Sequence, residues 1–297
     1  MSARIFLTPR DISILIVLGE YGLLTSDVLH ERFWAKSGPR ACQQRLRLLT
    51  DQKLIRPMRA PIVTRPDRGG TAPLAYALAP IGADVCEEYT GIRPRRVVHD
   101  SLSPFTLRHR IDLVRVRLAW DLACGKAGLA TTKWLLDSDP DPHASNAPAP
   151  AHRRLLSYNF LVNRQQISYR PDAVSLTFVP TEQGETPLVI AWELDRSTEG
   201  HKQVRAKLPG LTQFIDQRPY LRHFEDLPNV PARSIWVVQS RRRLAELQTV
   251  FAASPIAAAI RLAFLPTLCS GFSLRDKIWT DTSGQPRAIL PSSASTG

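Results

Sequence analysis

Three carboxylates lie close enough in the second half of the chain to act together. Asp172 stands in Arg170-Pro171-Asp172-Ala173-Val174, and Glu193 and Asp195 stand in Ala191-Trp192-Glu193-Leu194-Asp195-Arg196, at the end of the next apolar run. Residues two apart on a strand point to the same side. Glu193 and Asp195 therefore share a face, while Trp192 and Leu194 turn to the opposite, apolar one. Pairing of the Asp172 strand with this one brings all three acids together. Such a cluster repels itself unless it is protonated, hydrogen-bonded or bridged by a cation, and an all-oxygen set selects Mg²⁺ or Mn²⁺ over zinc. The alternative is an ion cluster in which Glu193 and Asp195 cap a strand end and pair with Arg170, Arg196 or Lys207.

A second group of residues suits a polyanion. The chain has 297 residues and a formal charge of +12, and nine cations between Lys36 and Arg68 face only Asp51 and Asp67. More than half of the surplus thus sits in one ninth of the chain. Arg40, Gln43, Gln44 and Arg47 are side chains able to pair bidentately with guanine or adenine edges. Arg56, Arg59, Arg65 and Arg68 suit phosphates. The partner expected is double-stranded DNA; a solvated basic face or a protein-docking module is the alternative.

Positioning these side chains requires particular elements. Thr8 and Pro9 open a helix over residues 8–20 with Ile12, Leu15, Ile16 and Leu18 or Gly19 at helical spacing, and Gly22 closes it. A short helix runs from Thr25 or Ser26 to about Trp34. A third starts after Ser37-Gly38-Pro39 and reaches about Gln52, with Leu46, Leu49 and Ala41 or Cys42 inward and Arg40, Gln43, Gln44, Arg47 and Thr50 outward. Strands over 54–58 and 74–78 flank a long basic tip. Three helices and a two-stranded ribbon are the order of a winged helix, whose third helix enters the major groove. Pro80 to Tyr89 reads as a closing helix with Ile81, Val85 and Tyr89 in the core.

Gly91 to Arg96 reads as a linker, giving a winged-helix DNA-binding domain over 1–95, an α/β domain over 96–280 and a disordered tail over 281–297, which ends in PSSASTG. In the second domain a long helix over 105–126 carries Leu107, Ile111, Val114, Leu118 and Leu122 on one face. Strands are expected at 131–136, 155–161, 169–178, 188–194, 234–239 and near 261–265, with helices at about 198–215 and 241–252. Asp137 to Pro150 reads as an excursion loop. The fold class is α/β, or α+β, with a small mixed sheet of about four to six strands in the second domain.

Several classes of function are excluded. No phosphate-cradling G-x-x-x-x-G-K-[ST] or G-x-G-x-x-G occurs, and no G-x-S-x-G elbow. The seven His residues are scattered, which argues against a histidine-cluster relaxase. The four Cys form no C-x-x-C pair and read as buried core residues. No stretch is long and apolar enough for a membrane span, and the N-terminus does not read as a secretory signal, so a cytoplasmic location is expected. His109, between Arg108 and Arg110, reads as a hydrogen-bonding histidine rather than a metal ligand, and Asp112 as a surface partner of Arg108 or Arg115.

The order helix, three strands, helix, strand, with Pro-Asp on the second strand and an acid pair on the third, resembles the PD-(D/E)XK nuclease-like fold. Joined to the winged helix it resembles the replication-relaxation family of plasmid and mobile-element proteins. The resemblance rests on LTPRDISILIVLGEYGLLTSDVL at the start, Tyr76-Ala-Leu-Ala-Pro-Ile-Gly82, His109, Arg170-Pro-Asp172, and Ala191-Trp-Glu-Leu-Asp-Arg196 followed by Lys207, and covers residues 8 to about 265. It implies a DNA-binding protein of plasmid replication, relaxation or transfer, with replication or conjugation proteins, and a second copy of itself in a homodimer, as further partners. It also implies a nuclease-like core in which Asp172, Glu193 and Asp195 hold Mg²⁺ if the core is active. That fold places Lys two residues after the second acid, and here Asp195 stands there, leaving Lys207 or Lys202 to support the attacking water. The alternative function is a transcriptional or copy-number regulator whose second domain makes protein contacts only.

Overall fold

The computed structural model describes residues 6–59, 74–94, 96–98, 102–141, 154–181, 184–196, 200–224 and 227–290. The chain forms two compact units, residues 1–114 and 115–297.

The first unit runs α1 (Pro9–Tyr21), β1 (Leu24–Thr25), α2 (Ser26–Trp34), α3 (Pro39–Asp51), β2 (Ile55–Met58), β3 (Ala75–Leu78) and α4 (Pro80–Thr90). β3 lies between β1 and β2 and is antiparallel to both, which is the winged-helix order of elements. α1 starts where its sequence requires. The Thr8 hydroxyl accepts from the Asp11 amide, the Asp11 carboxylate accepts from the Thr8 amide at 2.7 Å, and Pro9 fills the first helical position. Gly22, at φ 84°, ends the helix. Ile14, Leu15, Val17 and Leu18 form the buried face of α1, whereas Ile16, expected inside, is 38% exposed.

α4 corrects a second expected face. Its buried side chains are Ala83 and Cys86, while Ile81 and Tyr89 are 47% and 61% exposed. The helix packs so closely on the ribbon that a Cβ at Gly82 would overlap the Leu54 carbonyl oxygen. Only small residues fit this approach, so the large apolar ones lie outside. The segment after α4 is also tied down rather than a free linker. Arg93 pairs with Asp84 and Glu87, Arg96 donates to the Glu20 carbonyl, and the Val98 amide donates to the Leu78 carbonyl at 3.0 Å. The division between the units falls inside α5 (Pro104–Lys126), beyond the expected linker.

The second unit contains β4 (Thr131–Leu136), β5 (Tyr158–Val162), β6 (Gln165–Tyr169), β7 (Ala173–Thr181), β8 (Gly184–Asp195), α6 (His201–Gln217), β9 (Ala232–Val238), α7 (Arg241–Ala252), β10 (Ile260–Phe264), α8 (Leu265–Cys269), β11 (Trp279–Thr280) and β12 (Pro286–Arg287). Among the described residues seven strands form one mixed sheet in the order β12-β11-β10-β9-β8-β7-β4, one strand more than the upper bound expected. β8, β9 and β10 are parallel, and the remaining neighbours are antiparallel. Mixed α/β is therefore the class of the chain.

Both faces of this sheet are covered. On one, Val174, Val189, Ala191, Trp236 and Leu262 pack with Val204, Leu211 and Phe214 of α6 and Leu247 and Phe251 of α7. On the other, Trp192 meets Trp120 of α5, Trp134 and Trp279 at ring separations of 5.2, 5.4 and 6.4 Å. In α5, Val116, Trp120, Ala123 and Cys124 are the buried residues of this half, and Leu122, expected inside, is 55% exposed.

A separate hairpin, β5–β6, pairs 158–162, from the strand expected over 155–161, with 165–169, of which only Tyr169 is expected in a strand; it turns at Asn163 and Arg164 with φ of 50° and 64°. Gly210 lets the hairpin lie on α6, since a Cβ there would sit 2.7 Å from the Ser168 carbonyl oxygen. Residues 281–290, expected to open a disordered tail, are folded. Asp281 accepts from the Ser283 and Gln285 amides, and Leu290 is buried; residues 291–297 lie outside the described ones, as do 142–150 of the expected loop.

Candidate functional site

On α3, Cys42, Leu46 and Leu49 turn inward and fix the helix on the core of the first unit. Arg40, Gln43, Gln44 and Arg47 are all exposed, and their spacing of three and four residues aligns them along one face. Leu48 interrupts that surface, at 43% exposure. Thr50, expected outward, is half-buried with its hydroxyl donating to the Leu46 carbonyl at 2.8 Å. On the ribbon Arg56 is half-buried and Arg59 exposed. Arg65 and Arg68 lie outside the described residues.

One cation of this segment is turned inward. The Arg45 Nε donates to Asp11 Oδ1 at 2.8 Å, and its Nη2 pairs with Asp11 Oδ2 and donates to the Phe6 carbonyl at 3.0 Å. Asp11 is fully buried. Burial alone pushes its carboxyl up, but hydrogen bonds from Arg45 and Thr8, with the Arg45 charge, outweigh it and hold the group below the ordinary range. Arg45 thus anchors α3 and leaves the neighbouring polar side chains outside.

In the second unit the register places Asp172 just before Ala173, which pairs with Trp192, so Asp172 stands opposite Glu193. Asp172 Oδ2 accepts from the Leu194 amide at 2.7 Å. Glu193 is 3% exposed, and its Oε2 lies 3.4 Å from the Lys207 ammonium of α6. Lys207 also sits 5.6 Å from the Trp236 ring. Tyr169 of β6 adjoins the pair. Its own burial, and then the charges of Glu193 and Asp172, push its phenol well above the ordinary range. Nothing in its sequence context marks Tyr169, because the turn of the hairpin that delivers it carries no strong signal.

Asp195 goes elsewhere. Its Oδ2 accepts from Arg243 Nη2 at 2.7 Å and Nε at 3.1 Å, with the two side chains 1% and 6% exposed. This partner is on α7, and Arg170 lies 3.8 Å from Asp137. Glu193 and Asp195 do share a face of β8, but that face is apolar as well, being continued by Val189 and Ala191. Among the described residues no group of three His, Cys, Asp or Glu side chains is gathered for a metal ion. Asp172 and Glu193 together fit as oxygen donors for Mg²⁺; Asp195, held by a guanidinium, does not.

His109 is half-buried on α5 and has a partner of its own. Asp112, expected at the surface, is buried. Cys42, Cys86 and Cys124 are buried and their thiols are pushed up to about 11 by burial, but Cys269 is exposed.

Residues 15–230, nearly three quarters of the chain, match the family model described as replication-relaxation. The chain belongs to the replication-relaxation family. No curated relative matches this replication-relaxation protein. Among solved structures it is similar to Lactococcus lactis ZitR. A mutant of that protein with one cysteine replaced by serine is 23% identical over 31% of this chain and 56% of that one, with a TM-score of 0.23. The wild type in complex with DNA is 21% identical over 30% and 55%, with a TM-score of 0.22. The chain therefore spans about half the length of these structures, and a likeness so slight decides neither fold nor ligand. Among the described residues no helix is long and apolar enough to cross a membrane.

Proposed function

We propose that this replication-relaxation protein binds double-stranded DNA during the replication, relaxation or transfer of a plasmid or mobile element, with α3 as the base-reading helix. The observation that carries this reading is the exposed row Arg40, Gln43, Gln44 and Arg47, set on a helix whose own Arg45 is anchored to buried Asp11. Arg and Gln pair bidentately with guanine and adenine edges, and Arg56 and Arg59 at the ribbon, with Arg65 and Arg68 of the sequence between its strands, serve the flanking phosphates. Replacing Arg47 with Ala is expected to weaken specific binding by about 1 to 3 kcal/mol, and Arg65→Ala chiefly to flatten the dependence on salt. An electrophoretic titration at two salt concentrations tests both; no change in either variant overturns the assignment of the surface.

The second unit is proposed as a nuclease-like module of the PD-(D/E)XK type. Asp172 and Glu193 would hold Mg²⁺, which when bound supplies Lewis-acid stabilisation of phosphodiester charge. Lys207, beside Glu193, holds a positive charge at that edge. A regulator with a purely binding second unit is favoured by one observation, the commitment of Asp195 to Arg243. Nicking of supercoiled plasmid with Mg²⁺ separates the two. Activity lost in Asp172→Ala and Glu193→Ala supports an endonuclease, and equal background in all three proteins supports binding alone.

A further inference from the structure

We propose that the first turns of α6 and α7 form a second contact surface for the phosphate backbone of duplex DNA, carried by Lys202, Arg205, Arg241 and Arg242. The inference rests on the DNA-binding reading above and extends it to the second unit.

The topology brings these residues together. α6 follows β8 and α7 follows β9, and β8, β9 and β10 are parallel, so both helices begin at the same edge of the sheet. Side-chain contacts join the two turns. Glu246 of α7 receives Arg242 Nε at 3.0 Å on Oε1 and Arg243 Nη1 at 3.2 Å on Oε2, and His201 Nε2 lies 3.6 Å from Oε2. His201 belongs to α6, and Arg205 is one turn further on the same side, so Arg205 also lies on the flank of α6 that faces α7.

Charge at this edge does not balance. Of the described acids at this end of β8, Asp172 accepts from the Leu194 amide and buried Glu193 lies 3.4 Å from Lys207, while Asp195 and Glu246 join these contacts. Asp195 is closed off by Arg243, and Glu246, 30% exposed, lies beneath an Arg242 side chain that is 90% exposed. Lys202, Arg205 and Arg241 are also exposed. Arg241 is held 5.2 Å over the ring of Phe264, the last residue of β10, which keeps it at the same edge. The outermost layer is therefore cationic, and a run of phosphates is the complementary partner. Four exposed cations on flexible stems suit a contact with the phosphate backbone.

The test is a fluorescence-anisotropy titration of the full chain with a labelled duplex at about 50 and 200 mM salt. Four proteins are compared: the unaltered chain; Lys202→Gln/Arg205→Gln/Arg241→Gln/Arg242→Gln; Arg205→Lys/Arg241→Lys/Arg242→Lys; and Arg47→Ala. Loss of four phosphate contacts reduces the slope of log affinity against log salt by about 3 to 4, at about 0.9 per contact, whereas the lysine variant keeps the original slope. An unchanged slope in the quadruple variant, with Arg47→Ala still weakening binding, overturns this surface and leaves the α3 reading standing. A flattened slope with Arg47→Ala inert overturns the α3 reading and supports this surface. Should the quadruple variant not fold, Lys202→Glu alone reads the same quantity: a fall of at least about one supports the proposal, and none overturns it. Binding to phosphatidylserine vesicles that the quadruple variant loses, with its DNA slope unaltered, also overturns it.

Discussion

Asp11 and Arg45 are 34 residues apart and meet inside the first unit, the Arg45 Nε donating to Asp11 Oδ1 at 2.8 Å while Asp11 is fully buried. The same carboxylate closes the capping box of α1 and holds α3 by its guanidinium. Two helices are thus set by one acid. Asp11→Asn keeps a hydrogen-bonding side chain at the cap but leaves Arg45, about a quarter exposed, without its counter-charge. The expected loss is about 3 kcal/mol, the low end for a broken buried pair. Urea unfolding followed on the first unit measures it; a loss below about 1 kcal/mol would mean that the pair does not position α3.

Acid should act at the same place. The Asp11 carboxyl lies below its ordinary range in the folded protein, as does Asp281, whose burial pushes it up but which Ser283, Gln285 and Arg287 hold down more strongly. A carboxyl depressed by folding contributes stability that is fully present above its unfolded value of about 4 and is lost as the pH falls through the lower folded value. Stability should therefore decline below about pH 4, and Asp11→Asn and Asp281→Asn should each flatten that decline. Chemical denaturation at a series of acidic pH values checks it, and parallel curves for the variants and the parent would refute it.

Local signals are legible where one short segment decides the outcome. Thr8, Pro9 and Gly22 bound α1, α7 covers the expected residues, and the alternation of β8 places Glu193 and Asp195 on one face. What escapes depends on distant partners. Arg45 counts as a free cation until Asp11 is folded against it, and Arg243 is 48 residues from Asp195. The α4 face differs from its hydropathy pattern because size decides which side can approach Leu54. The β5–β6 turn is hidden because Arg164, unlike Asn163, is not a residue that signals positive φ.

The close approach of α4 makes Gly82→Ala a severe substitution. The added methyl would overlap the Leu54 carbonyl oxygen and lie 2.9 Å from Leu78 Cδ1, so α4 must move off the ribbon. A cost of about 2 to 3 kcal/mol is expected from overpacking. Gly125, near the end of α5, has open space around its Cβ direction. Gly125→Ala should instead stabilise by about 0.5 kcal/mol through helix propensity. Thermal melting of the two variants should move in opposite directions, and a shared direction would show that the packing at Gly82 is looser than described.

Arg243 and Asp195 allow a cycle that separates charge pairing from packing. Arg243→Met leaves the Asp195 carboxylate, 1% exposed, without its guanidinium at the end of β8. Breaking such a pair costs about 3 to 5 kcal/mol, because one buried charge is left uncompensated. Asp195→Leu alone is expected to cost less, since Arg243 retains Glu246 at 3.2 Å. With both changes the end of β8 and the first turn of α7 become an apolar contact of similar volume, and most of the stability lost in Arg243→Met should return. Guanidinium unfolding of the four proteins gives the coupling directly. Additive losses would show that the two side chains do not act as a pair.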